Sequence, residues 1–152
     1  MASDRWVKML STFFYVGYSP VAPGSMASVV AVLMSFCLQA NLLMYIAVLI
    51  VVTIAGFFIS DRMESLEGQK DPSCIVIDEV SGVMIAFLGL PWNWPVVITT
   101  FFLFRAFDMF KVYPVNKLEG MKGGVGVMMD DVVAGIYTNL VMQVAIRFAG
   151  IV

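Results

Sequence analysis

Five carboxylic acids stand near the ends of long apolar segments, where ionisable residues are rare. They form two adjacent pairs and one single residue: Asp78 with Glu79, Asp130 with Asp131, and Asp108. Ionisable groups at membrane depth are costly and usually mark function. Five carboxylates in one place would repel one another unless cations lay between them, and their oxygens suit a hard cation, Mg²⁺ before Mn²⁺ or Ca²⁺. We expect all five to be catalytic and the two pairs to be the metal ligands.

Two cations flank one of these acids. Arg105, Asp108 and Lys111 are spaced three residues apart, so they share one face of a helix. The arginine fork and the lysine point charge would bind a phosphate group of the substrate. A salt-bridge ladder within the helix is the alternative. Likewise, Asp130 and Asp131 could serve only to stabilise the positive end of a helix dipole.

Two loops rich in glycine or proline could contribute to the same site. Gly123, Gly124 and Gly126 precede a helical segment, and the backbone N–H groups of a glycine loop at a helix start can bind an anion. We expect Gly124 and Gly126 to bind substrate. Ser25 ends the proline-containing segment 19–25 and is a further candidate for substrate binding, although it could act only as a helix N-cap.

The sequence excludes several kinds of phosphate chemistry. It has no histidine, which rules out an imidazole base, nucleophile or metal ligand. A cysteine phosphatase needs an arginine six residues after its cysteine, but Val80 follows Cys74 and Leu43 follows Cys37 at that distance. The Asp-x-Asp triplet of haloacid-dehalogenase-type phosphatases is also missing. Metal-assisted hydrolysis remains, through a bound water or an aspartyl-phosphate intermediate.

The elements that position these residues must be membrane helices. Of the 152 residues, 61% are apolar and 13% are charged, and one domain of this length cannot bury so much apolar surface in a soluble core. Backbone groups in lipid must be satisfied within the protein, which favours helices. The formal net charge of −2 provides no basic surface for nucleic acid.

Five apolar segments are long enough, or nearly so, to enter a bilayer. They cover residues 26–40, 42–60, 74–90, 92–110 and 127–149. Before them, roughly residues 4–15 predict an amphipathic helix at the membrane interface. We therefore expect one all-α membrane-embedded domain over residues 1–152, a polytopic helical bundle with about five membrane-inserted helices.

Threading the chain through the bilayer places nearly all charges on one side. All eleven acidic residues and every basic residue except Arg147 then lie on the side of the N-terminus. An excess of lysine and arginine marks the cytosolic face of a membrane protein. We therefore expect the carboxylate site to face the cytosol.

Four motifs in order resemble the phosphatidylglycerophosphatase A family. They occupy residues 19–25, 71–82, 104–111 and 124–135, and the similarity extends over nearly the whole chain. The resemblance implies a bacterial inner-membrane enzyme that uses Mg²⁺ to remove the terminal phosphate of a phospholipid substrate, phosphatidylglycerophosphate. The products would be phosphatidylglycerol and inorganic phosphate.

The resemblance also assigns the family's functional residues to this chain. The family's Asp-Glu pair corresponds to Asp78 with Glu79, and its Asp-Asp pair to Asp130 with Asp131. Its motif of arginine, aspartate and lysine corresponds to Arg105, Asp108 and Lys111.

Two other functions remain as alternatives. Carboxylates in membrane helices could serve a cation transporter, although here they lie at one membrane end and the apolar segment 42–60 has none. A phospholipid headgroup transferase ranks lower, because the long aspartate, glycine and arginine motif of the CDP-alcohol type is absent. The oligomeric state stays open.

Overall fold

The computed structural model describes residues 2–110, 113, 121 and 123–150 of the chain. In this part of the chain there are six α-helices, one short 3₁₀ helix and no β-strand. The helices are α1 (Ala2–Ser11), α2 (Pro23–Leu38), α3 (Leu42–Glu67), α4 (Ile77–Phe87), α5 (Trp94–Phe110) and α6 (Gly124–Ala149), and the 3₁₀ helix is Val16–Tyr18. The expected all-α class is confirmed for these residues.

Local sequence explains where the helices begin. α2 starts with Pro23, whose fixed φ suits the first helical position, and the preceding N-cap residue Ala22 has a left-handed φ of 44°. The N-cap role considered for Ser25 is therefore wrong, because Ser25 lies inside the first turn. α3 begins after Asn41, whose side chain accepts a hydrogen bond from the Met44 N–H at 3.1 Å.

Fewer helices than expected can cross a membrane. Among the described residues, only α3 and α6 are long and apolar enough to do so, and the expectation of about five is wrong in number. α4 has 11 residues, which is about 17 Å of helix against about 30 Å of hydrocarbon. The apolar segment 74–90 therefore includes non-helical chain on both sides of α4. α2 and α5 have 16 and 17 residues, and at about 25 Å they also fall short.

α4 is the central helix of the fold. Nine of its 11 residues are buried, and it packs most extensively against α6, then against α2 and α3. Its side chains Val80, Val83 and Phe87 belong to the main hydrophobic core. The apolar composition of this segment thus serves the protein interior, which explains why a membrane-like sequence forms a helix too short to span.

A close crossing of α4 and α6 brings their acid-bearing ends together. A methyl group added at Gly82 would crowd the Asp131 carbonyl oxygen and the Phe104 ring, and one added at Gly135 would overlap the Gly82 carbonyl. Small residues of this kind let helices approach closely. The two glycines therefore fix how near the carboxylates of α4 come to those of α6.

α1 lies against the C-terminal end of α3. Lys8 Nζ and Glu67 Oε1 are 2.9 Å apart, and they join the two helices on the protein surface. The helix ends at Ser11, earlier than the expected boundary near residue 15, because residues 13–15 all have positive φ angles. The charged ends of α1 and α3 thus lie on the same side of the molecule.

A valine at position 135 should destabilise the crossing of α4 and α6. In the Gly135→Val variant the new side chain meets backbone atoms of Gly82, so we expect a loss of stability of about 1–3 kcal/mol. The measurement is thermal unfolding of the protein in detergent. Ala145→Val, at an exposed position of the same helix, is the matched control and should keep the wild-type midpoint. An unchanged midpoint for Gly135→Val would contradict the close crossing.

Candidate active site

One cavity collects the acidic residues identified from the sequence. Its volume is about 380 Å³, and it lies where the N-terminal parts of α2, α4 and α6 meet the C-terminal part of α5. Its lining includes all five expected catalytic carboxylates: Asp78, Glu79, Asp108, Asp130 and Asp131. Two of the expected substrate-binding residues, Arg105 and Ser25, also line it.

Helix dipoles stabilise some of these acids more than others. Asp78 and Glu79 lie in the first turn of α4, where the positive end of the helix dipole favours negative charge. Asp130 and Asp131 lie one turn deeper in α6, and the dipole effect falls off beyond the first turn. The helix dipole therefore stabilises the charges of the α6 pair less than those of the α4 pair.

Arg105 joins acids from two helices. Its Nη1 atom donates a hydrogen bond to Glu79 Oε2 at 2.7 Å and lies 2.8 Å from Asp108 Oδ2. The Ser28 hydroxyl also donates to Glu79 Oε2, at 2.7 Å. All these side chains are largely buried. Glu79 is thus held by a cation and a hydroxyl, whereas Asp108 shares the same cation.

Asp131 differs from the other acids of the cavity. Asp78 Oδ1 accepts the Glu79 N–H at 2.9 Å, and Asp130 Oδ1 accepts the Asp131 N–H at 3.0 Å. Asp131 is only 3% exposed, yet its Oδ1 atom has no hydrogen-bond partner among the described residues. A buried polar atom without a partner is costly. Its place among other carboxylates favours a bound cation.

Burial also affects the acids of α4, a helix too short to cross a membrane. Removal from water raises the pKa of Asp78, and the negative charges of Glu79 and Asp130 raise it further. Burial raises the pKa of Glu79 as well, whereas the charge of Arg105 opposes that rise. A cation close to these carboxylates would favour their ionised forms.

The donor set fits a magnesium ion that is held partly by substrate and water. Within the described part of the chain, no three acidic or cysteine side chains come close enough together to hold a metal ion by themselves. Mg²⁺ at phosphate sites usually takes one or two carboxylates, and waters and phosphate oxygens complete its ligands. Asp131, with Asp78 or Asp130 beside it in the cavity lining, can supply such a pair.

Three of the expected substrate-binding residues are not among those gathered here. Gly124 is buried against α3, where an added methyl group would overlap the Phe57 carbonyl. The Gly126 N–H donates to the Gly123 carbonyl at 2.9 Å. Neither Gly124 nor Gly126 lines the cavity, so their role in substrate binding stays a prediction without geometric support. Lys111 lies outside the described residues.

Three further residues belong to the site although the sequence analysis did not select them. Ser28 follows Ser25 by three residues, so the shared helix face could have revealed it. Gly24 packs so closely on Glu79 that an added methyl group would overlap its carboxylate. Asp71 lines the cavity from the loop between α3 and α4, and its place as the first residue of the motif 71–82 could have indicated it.

Comparison with known proteins identifies one family. The chain matches the family described as phosphatidylglycerophosphatase A over residues 9–146. It is 34% identical to phosphatidylglycerophosphatase A of Escherichia coli strain K12 over 140 residues, which are 88% of this chain and 79% of that protein. It is 29% identical to phosphatidylglycerophosphatase A of Haemophilus influenzae over 144 residues, which are 90% of this chain and 86% of that protein.

A third relative has a different name. A protein of Bacteroides thetaiotaomicron, provisionally named phosphatidylinositol-3-phosphatase, is 42% identical over 147 residues, which are 90% of this chain and 91% of that protein. No solved structure matches the chain significantly. The relatives thus share most of their length with this chain, but their names specify different lipid substrates.

The buried pair of Arg105 and Glu79 should be energetically coupled. Arg105→Met leaves Glu79 and Asp108 without their cation, so we expect it to destabilise the fold. Adding Glu79→Gln should recover part of that loss, with a coupling energy of about 1–3 kcal/mol in a double-mutant cycle of unfolding free energies.

The exposed pair of Lys8 and Glu67 is the matched control for this cycle. Lys8→Met and Glu67→Gln should give a coupling energy of at most about 0.5 kcal/mol, because water screens surface ion pairs. Equal coupling energies for the two pairs would contradict the structural role assigned to Arg105.

Proposed function

Because the chain belongs to the phosphatidylglycerophosphatase A family, we propose that it hydrolyses phosphatidylglycerophosphate at the cytosolic face of the bacterial inner membrane. The products would be phosphatidylglycerol and inorganic phosphate, so the enzyme is a phosphoric monoester hydrolase. One observation carries the proposal: a single cavity joins the five predicted carboxylates with Arg105, and one of them, Asp131, has a buried oxygen without a hydrogen-bond partner in the described structure. A phosphate group with a divalent cation would supply partners for Arg105 and for that oxygen.

The residues of the cavity would bind the phosphate in complementary ways. Arg105 can donate hydrogen bonds to phosphate oxygens, and Asp108 orients the guanidinium group from the next turn of α5. The cation ligands would come from Asp78, Asp130 and Asp131. Glu79, which the sequence also predicts as a ligand, is tied to Arg105 in the present arrangement. When bound, Mg²⁺ supplies positive charge that offsets the charge of the phosphate.

Hydrolysis also needs a proton acceptor and an attacking oxygen. In one route a cavity carboxylate accepts a proton from the attacking water, and the phosphorus–oxygen bond to glycerol breaks as the leaving oxygen takes up a proton. In the other route an aspartate attacks phosphorus as the bond to the glycerol oxygen breaks and that oxygen takes up a proton. Water then hydrolyses the aspartyl phosphate to inorganic phosphate and the free carboxylate. The carboxylates that do not hold the cation are candidates for either role.

The distribution of charge supports the cytosolic orientation. The C-terminal end of α3 lies beside the cavity, because the N–H of Asp71, a lining residue, donates to Glu64 Oε1 at 2.7 Å. Lys8 on α1 and Lys70 after α3 belong to the same end of the molecule. An excess of such residues is typical of the cytosolic side. α3 and α6 would then be the spans, with the cavity at the inner leaflet.

The Bacteroides relative suggests a second candidate substrate. Its provisional name specifies the 3-phosphate of phosphatidylinositol, and its identity of 42% exceeds the 34% and 29% of the two phosphatidylglycerophosphatases. Both lipids present a phosphomonoester at the membrane surface. The chemistry of the cavity suits either one, so the choice needs a direct comparison of substrates.

Purified protein should release inorganic phosphate from a lipid phosphomonoester only when Mg²⁺ is present. We expect release from phosphatidylglycerophosphate, loss of release with EDTA, and recovery with excess Mg²⁺. Phosphatidylinositol 3-phosphate is assayed in parallel, and kcat/KM ranks the two lipids. A higher kcat/KM for phosphatidylinositol 3-phosphate would favour the second candidate. Activity that resists EDTA would contradict the metal proposal.

Neutral variants of the aspartate pair on α6 should lose catalysis and keep the fold. For Asp131→Asn and Asp130→Asn we expect phosphate release to fall about 100-fold or more. Removing one of several repelling charges should leave the unfolding midpoint equal to or above that of the wild type. Asp61→Asn is the matched control, because Asp61 is exposed and lies outside the cavity. Wild-type turnover in both α6 variants and in the matching Asp78 and Glu79 variants would overturn the site assignment.

A further inference from the structure

An apolar groove lies between α2 and α5, beyond the acidic cavity. Its volume is about 430 Å³, and its walls include Leu33 and Phe36 of α2 with Trp94 and Val97 of α5. The two helices contact each other sparsely, whereas both pack against α4. The groove is therefore open between α2 and α5, and α4 packs against both of these helices.

The wall formed by α2 begins at the cavity. Ser25 lines the cavity, and Val29, Val32 and Phe36 follow it at spacings of four, three and four residues. Residues at these spacings share one face of a helix. One continuous face of α2 thus leads from the polar site into the apolar groove.

The wall formed by α5 runs antiparallel and ends at the cavity. Val97 lines the groove, Phe101 follows four residues later on the same face, and Arg105 and Asp108 then line the cavity. The side chain of Phe101 is half-buried against the main core. Both walls of the groove therefore continue into the residues proposed to bind phosphate.

We propose that this groove binds an acyl chain of the lipid phosphate whose headgroup occupies the acidic cavity. The inference rests on the proposed function, because it concerns the other end of the same substrate. Lipid tails are as apolar as the groove itself, so the groove does not contribute to substrate binding mainly through hydrophobic attraction. The groove instead aligns the lipid, so that the phosphate enters the cavity in one orientation.

The length of α2 sets the distance from the cavity to the far end of the groove. From Ser25, which lines the cavity, to Phe36, which lines the groove, α2 rises by about 17 Å. Trp92 bounds the far end: its ring centroid is 5.5 Å from that of Phe36 and 5.1 Å from that of Phe87. A chain that starts at the cavity would reach this aromatic cluster at the end of α2, which only residues 39–41 separate from the start of α3.

The outer edge of the groove is open, so a lipid can enter sideways. Val29 and Leu33 on α2 are exposed, and Leu33 is 60% exposed. Leu140 on α6 offers a comparison, because it is 57% exposed and is not part of the groove lining. It lies nine residues beyond Asp131, as Leu33 lies eight beyond Ser25, so the two leucines have similar depths.

The first test fills the groove and varies the length of the acyl chain. We measure kcat/KM for phosphatidylglycerophosphate with long chains and with chains that end before Leu33. For Leu33→Trp we expect the ratio of long-chain to short-chain kcat/KM to fall about tenfold, and Val97→Trp should give the same result from the other wall. Leu140→Trp should keep the wild-type ratio.

The outcomes separate this inference from the proposed function. An unchanged ratio in both groove variants, or an equal loss on long and short chains, would overturn the acyl-chain site. Phosphate release by the wild type from the short-chain lipid tests the headgroup chemistry alone, so its absence would count against the proposed function and not against the groove.

A second test measures lipid binding without turnover. Phosphatidylglycerophosphate with a photoreactive diazirine at the end of one acyl chain is added, with Mg²⁺, to the Asp130→Asn variant, in which we expect turnover to be strongly reduced. We expect labelling of the residues of α2 and α5 that line the groove. The concentration of unlabelled lipid that halves this labelling should be at least tenfold lower for phosphatidylglycerophosphate than for phosphatidylcholine. Equal competition by the two lipids, or labelling spread evenly over α3 and α6, would identify ordinary boundary lipid and overturn the inference.

Discussion

The repulsion among five buried or half-buried carboxylates is the constraint on which the rest of the structure depends. In the described lining of the cavity, Arg105 is the one basic side chain that faces them. Like charges repel strongly where water is scarce. The first turn of α4, the Ser28 hydroxyl and the Arg105 guanidinium stabilise Asp78 and Glu79. On α6, Asp131 Oδ1 has no hydrogen-bond partner among the described residues, and a divalent cation with a phosphate would supply one.

A fold can hold such charges together only if its helices resist being pushed apart. α4 does this from inside the protein, where it packs against α2, α3 and α6. The Gly82–Gly135 contact brings it against α6 at backbone distance. Such a helix does not need the length of a membrane span, because its task is to position Asp78 and Glu79 and to support the helices around it. The same support leaves α2 and α5 separated, which creates the apolar groove between them.

The sequence predicted which acidic residues lie together better than it predicted how many helices cross the membrane. Acids at the ends of apolar segments have few explanations, so Asp78, Asp108 and Asp131 could be assigned to one place from their positions alone. The number of spans could not be predicted, because hydropathy does not distinguish a helix buried in protein from one surrounded by lipid, as α4 illustrates. The ion pair of Glu79 and Arg105 could not be predicted either, because it joins two helices whose relative rotation depends on packing. Helix packing also decides the position of Gly124. It belongs to a glycine-rich segment typical of an anion-binding loop, but it packs against α3.

The most direct test of the central claim is electron–nuclear double resonance on Mn²⁺, a cation of the same preference for oxygen ligands as Mg²⁺. The protein is loaded with Mn²⁺ and a lipid phosphomonoester, and the coupling between the bound ion and the phosphorus nucleus is recorded. The account predicts a phosphorus coupling typical of direct coordination in the wild type and its loss in Asp131→Asn. A wild-type protein that hydrolyses the lipid and yet shows no bound Mn²⁺ near phosphorus would contradict it.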